Sequence, residues 1–300
     1  MTGYSTGFPM RDLERFGPGS SENVTPEFAR KYTASLAGKH YENFTVVTFF
    51  LPKALRQPFY NLYAYCRWAD DLADEAGHAT HLLDWWETEL DAMYAGRATH
   101  PVFVALAETV REYAIPREPF ADLLWAFRQD QQTLEYTSRE QLLEYCRHSA
   151  NPVGRLILYL ARTTDAESFR LSDAICTGLQ LANFWQDVAR DWHERRRIYL
   201  PDDDRQRFGA TREIWEKGQT TPEFAALLQE ETDWAETFFQ TGRPLISRVP
   251  KAFRLEIRLF HDGGMAVLSA VRRQNYDVWT RRPVVTKFQK LRLLLKTFFN

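Results

Sequence analysis

The stretch NFWQDVARD, residues 183–191, sets Asn183, Asp187 and Asp191 four residues apart. A second stretch, YAYCRWADDLADE at 63–75, sets Asp70 and Asp74 four apart with Asp71 beside them. Four residues is about one helical turn, so each set stacks along one side of a helix. Downstream, Gln180 joins the amide and the two acids within an arc of about 80°, while Leu181, Phe184, Trp185 and Val188 fill the adjoining arc. Upstream, Tyr63 and Arg67 extend the acidic stripe by two turns. These arcs carry oxygen ligands almost without the interleaved lysines that a solvated helix uses for ion pairs. Such donors suit Mg²⁺, which takes a few carboxylates, retains water and shares the oxygens of a phosphate-bearing substrate. Set face to face, the two helices would gather five carboxylates and an amide oxygen around one space. Metal ions there would bridge those anions to a diphosphate. Each helix taken alone also fits a plainer reading, an amphipathic element with a solvated polar face. Two acidic stripes in one chain favour the metal.

Both stripes need a scaffold of helices, and the rest of the chain is patterned to supply one. Helical periodicity covers 58–75, 81–95, 102–114, 119–132, 139–148, 152–162, 172–195, 222–240, 251–260, 265–278 and 284–298. The gaps carry helix-stopping residues, among them Pro52, Gly77, Gly96, Pro116, Pro201, Gly209 and Pro283. No sustained apolar–polar alternation and no Asn-Gly or Asp-Gly turn argues for strands. The expectation is an all-α fold, a single-domain helical bundle around a central cavity, spanning residues 25–300. Residues 1–24 are rich in Gly, Ser and Pro and read as a loose leader, ended by the cap Thr25-Pro26-Glu27.

Bulk properties remove several functions. With 38 basic and 40 acidic residues the net charge is −2, so no basic field points to nucleic acid. Cys66, Cys146 and Cys176 are too scattered for a disulfide framework or a zinc site, and they fit a reducing cytoplasm. The N-terminus lacks signal-peptide order, and no run approaches the roughly 20 apolar residues that span a bilayer. The C-terminal KFQKLRLLLKTFFN mixes Lys and Arg with Leu and Phe. That composition fits a helix making peripheral contact with a membrane surface, or a last helix packed on the bundle.

DDLAD and NFWQDVARD, in this order and followed by RRRIYLP, resemble the two aspartate-rich motifs of the squalene/phytoene synthase family. The likeness runs from HYENF (40–44) to GGMAVL (263–268). It implies an all-α enzyme that binds prenyl diphosphates through Mg²⁺. By the same likeness Asp70, Asp71 and Asp74 match the first motif, and Asn183, Asp187 and Asp191 the second. Tyr63 and Arg67 match positions facing the diphosphate, Gln180 and His40 match cavity positions, and Tyr199 matches a tyrosine that covers the site. Of Arg195, Arg196 and Arg197, one is expected to reach the diphosphate, with Arg197 the candidate; otherwise the run coats a helix end.

Two departures bear on which reaction is run. Gln186 stands where many members have Arg, and Arg190 where many have Glu, which removes a cation useful for a second diphosphate. HYENFTVV also departs from the pattern of condensing members. ENF, NFWQDVA and SANPVGR (149–155) resemble the bacterial hydroxysqualene synthase branch of the hopanoid pathway. That branch takes presqualene diphosphate, ionises it and captures the carbocation with water. Glu42 is the candidate to hold that water, against a plain reading as an exposed helix-start acid. No nicotinamide cofactor is expected, and a separate condensing enzyme is the candidate partner. The alternatives are a head-to-head condensing synthase acting on farnesyl diphosphate and a non-catalytic assembly protein. Intact motif acids weigh against the last.

Overall fold

A computed structural model describes residues 8–39, 51–74 and 79–285. Every element among them is an α-helix, apart from one isolated parallel bridge between Glu135 and Ile198. The all-α expectation holds. Two compact units are formed, one from Met1–Gln131 with Tyr159–Arg162, the other from Gln132–Leu158 with Thr163–Asn300.

The first unit contains α1 (Phe8–Phe16), α2 (Pro26–Lys39), α3 (Lys53–Asp74), α4 (Ala79–Tyr94), α5 (Pro101–Tyr113) and α6 (Glu118–Asp130). Helix α3 carries the first acidic stripe, and its opposite side is locked by aromatic and amide contacts. Trp68 stacks on Trp86 at 5.3 Å, both fully buried. The Tyr65 hydroxyl donates to the Phe120 carbonyl at 2.9 Å. Buried Asn61 accepts from Thr33 at 2.7 Å and donates to the Ala105 carbonyl at 2.9 Å, joining α2, α3 and α5. The Tyr65 hydroxyl and the Asn61 amide are thereby satisfied, so they fix the rotation of α3 instead of costing stability. Part of the stretch read as a loose leader is helical. Phe16, last in α1, is buried with its ring 5.5 Å from Tyr32, which supplies the apolar anchor that a Gly- and Ser-rich composition conceals.

The second unit contains α7 (Arg139–Ser149), most of α8 (Asn151–Leu160), α9 (Ala166–Arg195), α10 (Asp202–Phe208), α11 (Arg212–Lys217), α12 (Pro222–Gly242), α13 (Leu245–Arg248) and α14 (Lys251–Arg273). Helix α9 starts six residues before the periodicity suggests. The cause is Asp165, whose side chain accepts from the Ser168 N–H at 3.0 Å and caps the first turn. Periodicity also splits α14 at Gly263-Gly264, yet the helix runs straight through. Gly264 is there for approach: a Cβ on it would strike the buried Phe239 ring of α12. Short α10 and α11 lie below the length at which periodicity is readable.

Candidate active site

On α3 the acids are not equivalent. The Asp70 side chain is 48% exposed and Asp74 is exposed, whereas Asp71 is buried at 2%. Arg67, one turn earlier, reaches both neighbours. It lies 3.6 Å from Asp70 and pairs closely with Asp71. The buried Asp71 carboxylate therefore holds the guanidinium, while Asp70 and Asp74 present theirs outward. Tyr63 is half-buried on the same stripe. Burial and the nearby Asp70 charge push the Cys66 thiol up to about 12, so it is not a nucleophile at neutral pH.

On α9, Phe184, Trp185 and Val188 are buried, and the Trp185 indole donates to the Glu231 carbonyl of α12 at 3.0 Å. That anchor turns Asn183 to solvent and leaves Gln180, Asp187 and Asp191 half-buried. Asp191 borders a gap of about 10 Å³ walled by Phe184, Trp185, Val188 and Tyr199. Burial, reinforced by the neighbouring Asp187 charge, raises the Asp191 carboxyl to about 7, against the pull of Arg190, Arg195 and Arg197. This face is short of positive charge.

A residue that spacing could not reveal supplies part of the deficit. Arg282, beyond α14, grips Asp187 in a two-pronged ion pair, with Nη2 2.9 Å from Oδ2 and Nε on Oδ1. The same Nη2 donates to Gln186 Oε1 at 3.0 Å, and the Gln186 amide donates to the Pro283 carbonyl. Gln186 thus docks the segment that carries the arginine. An arginine thus stands beside Gln186 through space, with its charge engaged by Asp187. Ninety-five residues separate Arg282 from Asp187. Only the adjacent basic pair Arg281-Arg282 hints at it in the sequence.

The arginine run closes α9. Arg196 adopts the left-handed conformation at φ 56°, and its N–H and that of Arg197 return to the last carbonyls of the helix. This turn leaves Arg195 and Arg196 exposed and sends Arg197 inward, 8% exposed, with Nη1 3.3 Å from the Tyr199 hydroxyl. The Tyr199 ring stacks on Phe184 at 3.6 Å. Arg197 is the buried member of the three. His40, Glu42 and the helix expected at 284–298, apart from residues 284 and 285, lie outside the described residues.

Among the described residues no three His, Cys, Asp or Glu side chains converge closely enough to hold a metal ion unaided. The donor set nevertheless fits Mg²⁺, which needs only one or two carboxylates when water and substrate oxygens complete its shell. Burial, and then the Asp187 charge, make Asp191 hard to ionise, which a nearby cation would offset. No helix of the described residues is long and apolar enough to cross a membrane.

Comparison with known proteins places this geometry in a lineage. A family model described as Squalene/phytoene synthase matches residues 37–289. A solved structure, squalene synthase HpnC from Alicyclobacillus acidocaldarius, is 43% identical with a TM-score of 0.82, covering 84% of this chain and 96% of that one. Hydroxysqualene synthase of Rhodopseudomonas palustris is 33% identical over 73% of this chain and 74% of its own length. Phytoene synthase of Arthrospira platensis is 28% identical over 89% of this chain and 90% of its own.

Proposed function

The chain belongs to the squalene/phytoene synthase family, and from that premise we propose that it converts presqualene diphosphate to hydroxysqualene. The observation that carries the diphosphate chemistry is the α9 face, where Asp187 needs Arg282 as counter-charge and Asp191 stays hard to ionise. Likeness to the hydroxysqualene and squalene synthases supports the choice of reaction.

Asp70, Asp74, Asn183, Asp187 and Asp191 would hold Mg²⁺ through their oxygens. When bound, the ion neutralises the diphosphate and makes it a better leaving group. Asp71 keeps Arg67 aimed, and Arg67 and Arg197 add positive charge toward the departing anion. Tyr199, fixed by its stack on Phe184, shields the site from bulk water. Breaking the C–O bond leaves a cyclopropylcarbinyl cation, whose ring C–C bonds shift and open. One water adds through oxygen to the rearranged cation as the ring opens and gives up a proton, yielding the acyclic C30 alcohol and inorganic diphosphate. Glu42 is the residue proposed to hold that water.

A second reading has an observation in its favour. Arg282 sets an arginine beside Gln186, the position where many members have Arg. Head-to-head coupling of two farnesyl diphosphates is therefore the alternative. Presqualene and farnesyl diphosphates, offered separately with Mg²⁺, no nicotinamide and isotope-labelled water, separate the two. A labelled C30 alcohol from presqualene diphosphate is the expected product. Conversion of farnesyl diphosphate alone would assign the condensing reaction instead.

A further inference from the structure

Between Gly242 and His261 the chain carries five basic residues, Arg243, Arg248, Lys251, Arg254 and Arg258, and one acid, Glu256, which is buried. For a chain with net charge −2 this is a local excess. On α14, Lys251, Arg254, Leu255 and Arg258 share an arc of about 100°. Arg254 folds back onto the carbonyls of Ser247 and Val249 at 3.2 and 3.1 Å, fixing α13 against α14. Beside this contact lies a cleft of about 580 Å³ lined by Gln240, Arg243, Pro244, Ser247, Arg258 and Asp262. Asp262, its one carboxylate, is held by His261 at 2.8 Å. Arg248 is matched by Asp165 at 2.9 Å. Arg243, Lys251 and Arg258 make no ion pair with any described residue.

Unopposed cations cost little in water, but they differ from Arg139 and Arg272 of the same unit, which are matched by Asp204 and Glu236. Here they stand beside partly exposed Ile246, Leu255 and Leu259. Cations bordering shallow apolar side chains complement one kind of surface: phosphate headgroups over acyl chains. We propose that the α12–α13–α14 face docks this protein on an anionic phospholipid surface, with a headgroup phosphate taken into the cleft between Arg243 and Arg258. The inference rests on this surface and not on the reaction proposed above. A protein handling C30 lipids would gain access to its substrate by it.

The test is flotation of the full chain with phosphatidylglycerol–phosphatidylcholine vesicles and with phosphatidylcholine vesicles alone. Wild type should float with the anionic vesicles only, and less as salt rises. The double variant R243E/R258E should bind at least tenfold more weakly, from about fivefold per basic side chain at the surface. A control with the same charge change at exposed sites on other elements, R97E/R111E, should bind as wild type does. Far-UV circular dichroism checks that both variants fold. Equal binding by wild type and R243E/R258E would overturn the proposal, as would equal losses in both variants. So would capture of heparin or free inorganic phosphate at this face without vesicle binding.

Discussion

The residue with the greatest influence on the second acidic face is one that its spacing does not contain. Arg282 neutralises Asp187 from a distant segment, in the place an added cation would occupy. Arg282→Ala should therefore strengthen Mg²⁺ binding in the absence of substrate by several-fold, because the metal no longer displaces a paired guanidinium. Calorimetric titration of Mg²⁺ into the two proteins checks this; weaker binding in the variant would mean that Arg282 does not compete. The acids themselves were legible at this scale. Carboxylates stacked on helical spacing identify their own helix face, and the structure puts Asp187 and Asp191 on one. Their unequal burial was not legible. Asp71 is buried and Asp70 half exposed because α3 is rotated by contacts of Trp68 and Asn61 with other helices, which no local pattern encodes.

Elements were read where periodicity was long and misread where packing overrode it. Helices α3 to α6, α9 and α12 follow the apolar spacing, because each buries one continuous stripe. Helical periodicity lapses between 260 and 265, yet Gly263-Gly264 lies inside a helix. A glycine pair lowers helix propensity, but contact with Phe239 outweighs that cost. Gly264→Ala should consequently destabilise the protein, by about 1–3 kcal/mol, although alanine is the better helix former. Urea denaturation measures it, and a gain in stability would show that the glycine serves no close packing. The start of α9 makes the complementary case. Asp165 caps the first turn and also binds Arg248 at 2.9 Å, so Asp165→Ala should lower the melting temperature. An unchanged melting temperature would refute that role.

At the level of the whole molecule, buried charge sets how stability responds to pH. Glu231 is fully buried against Arg139 at 3.0 Å, and burial raises its carboxyl to about 8. In the unfolded chain the same group titrates near 4.3. Between those values the folded state keeps a proton that the unfolded state has lost, so stability falls as pH rises from about 5 to 8 and levels above it. Asp191, raised to about 7, acts in the same direction. Glu231→Gln should flatten much of that slope; denaturation midpoints measured across pH 5–8.5 with an unchanged slope would contradict the assignment. The all-α class and the family were both legible in the sequence, the first from helical period without strand alternation, the second from DDLAD and NFWQDVARD. The cationic face on α13 and α14 was not, because its arginines are unremarkable singly and become a surface only when Arg254 pins the two helices together.

The central claim is that the acids of α3 and α9 carry a metal-assisted departure of diphosphate. Release of inorganic diphosphate from presqualene diphosphate, followed for wild type, Asp187→Ala and Asp74→Ala at saturating Mg²⁺, tests it most directly. With folding verified by circular dichroism, both variants should lose at least about a hundredfold in rate, the scale for removing charge stabilisation at a leaving group. Wild-type rates in either variant would contradict the account.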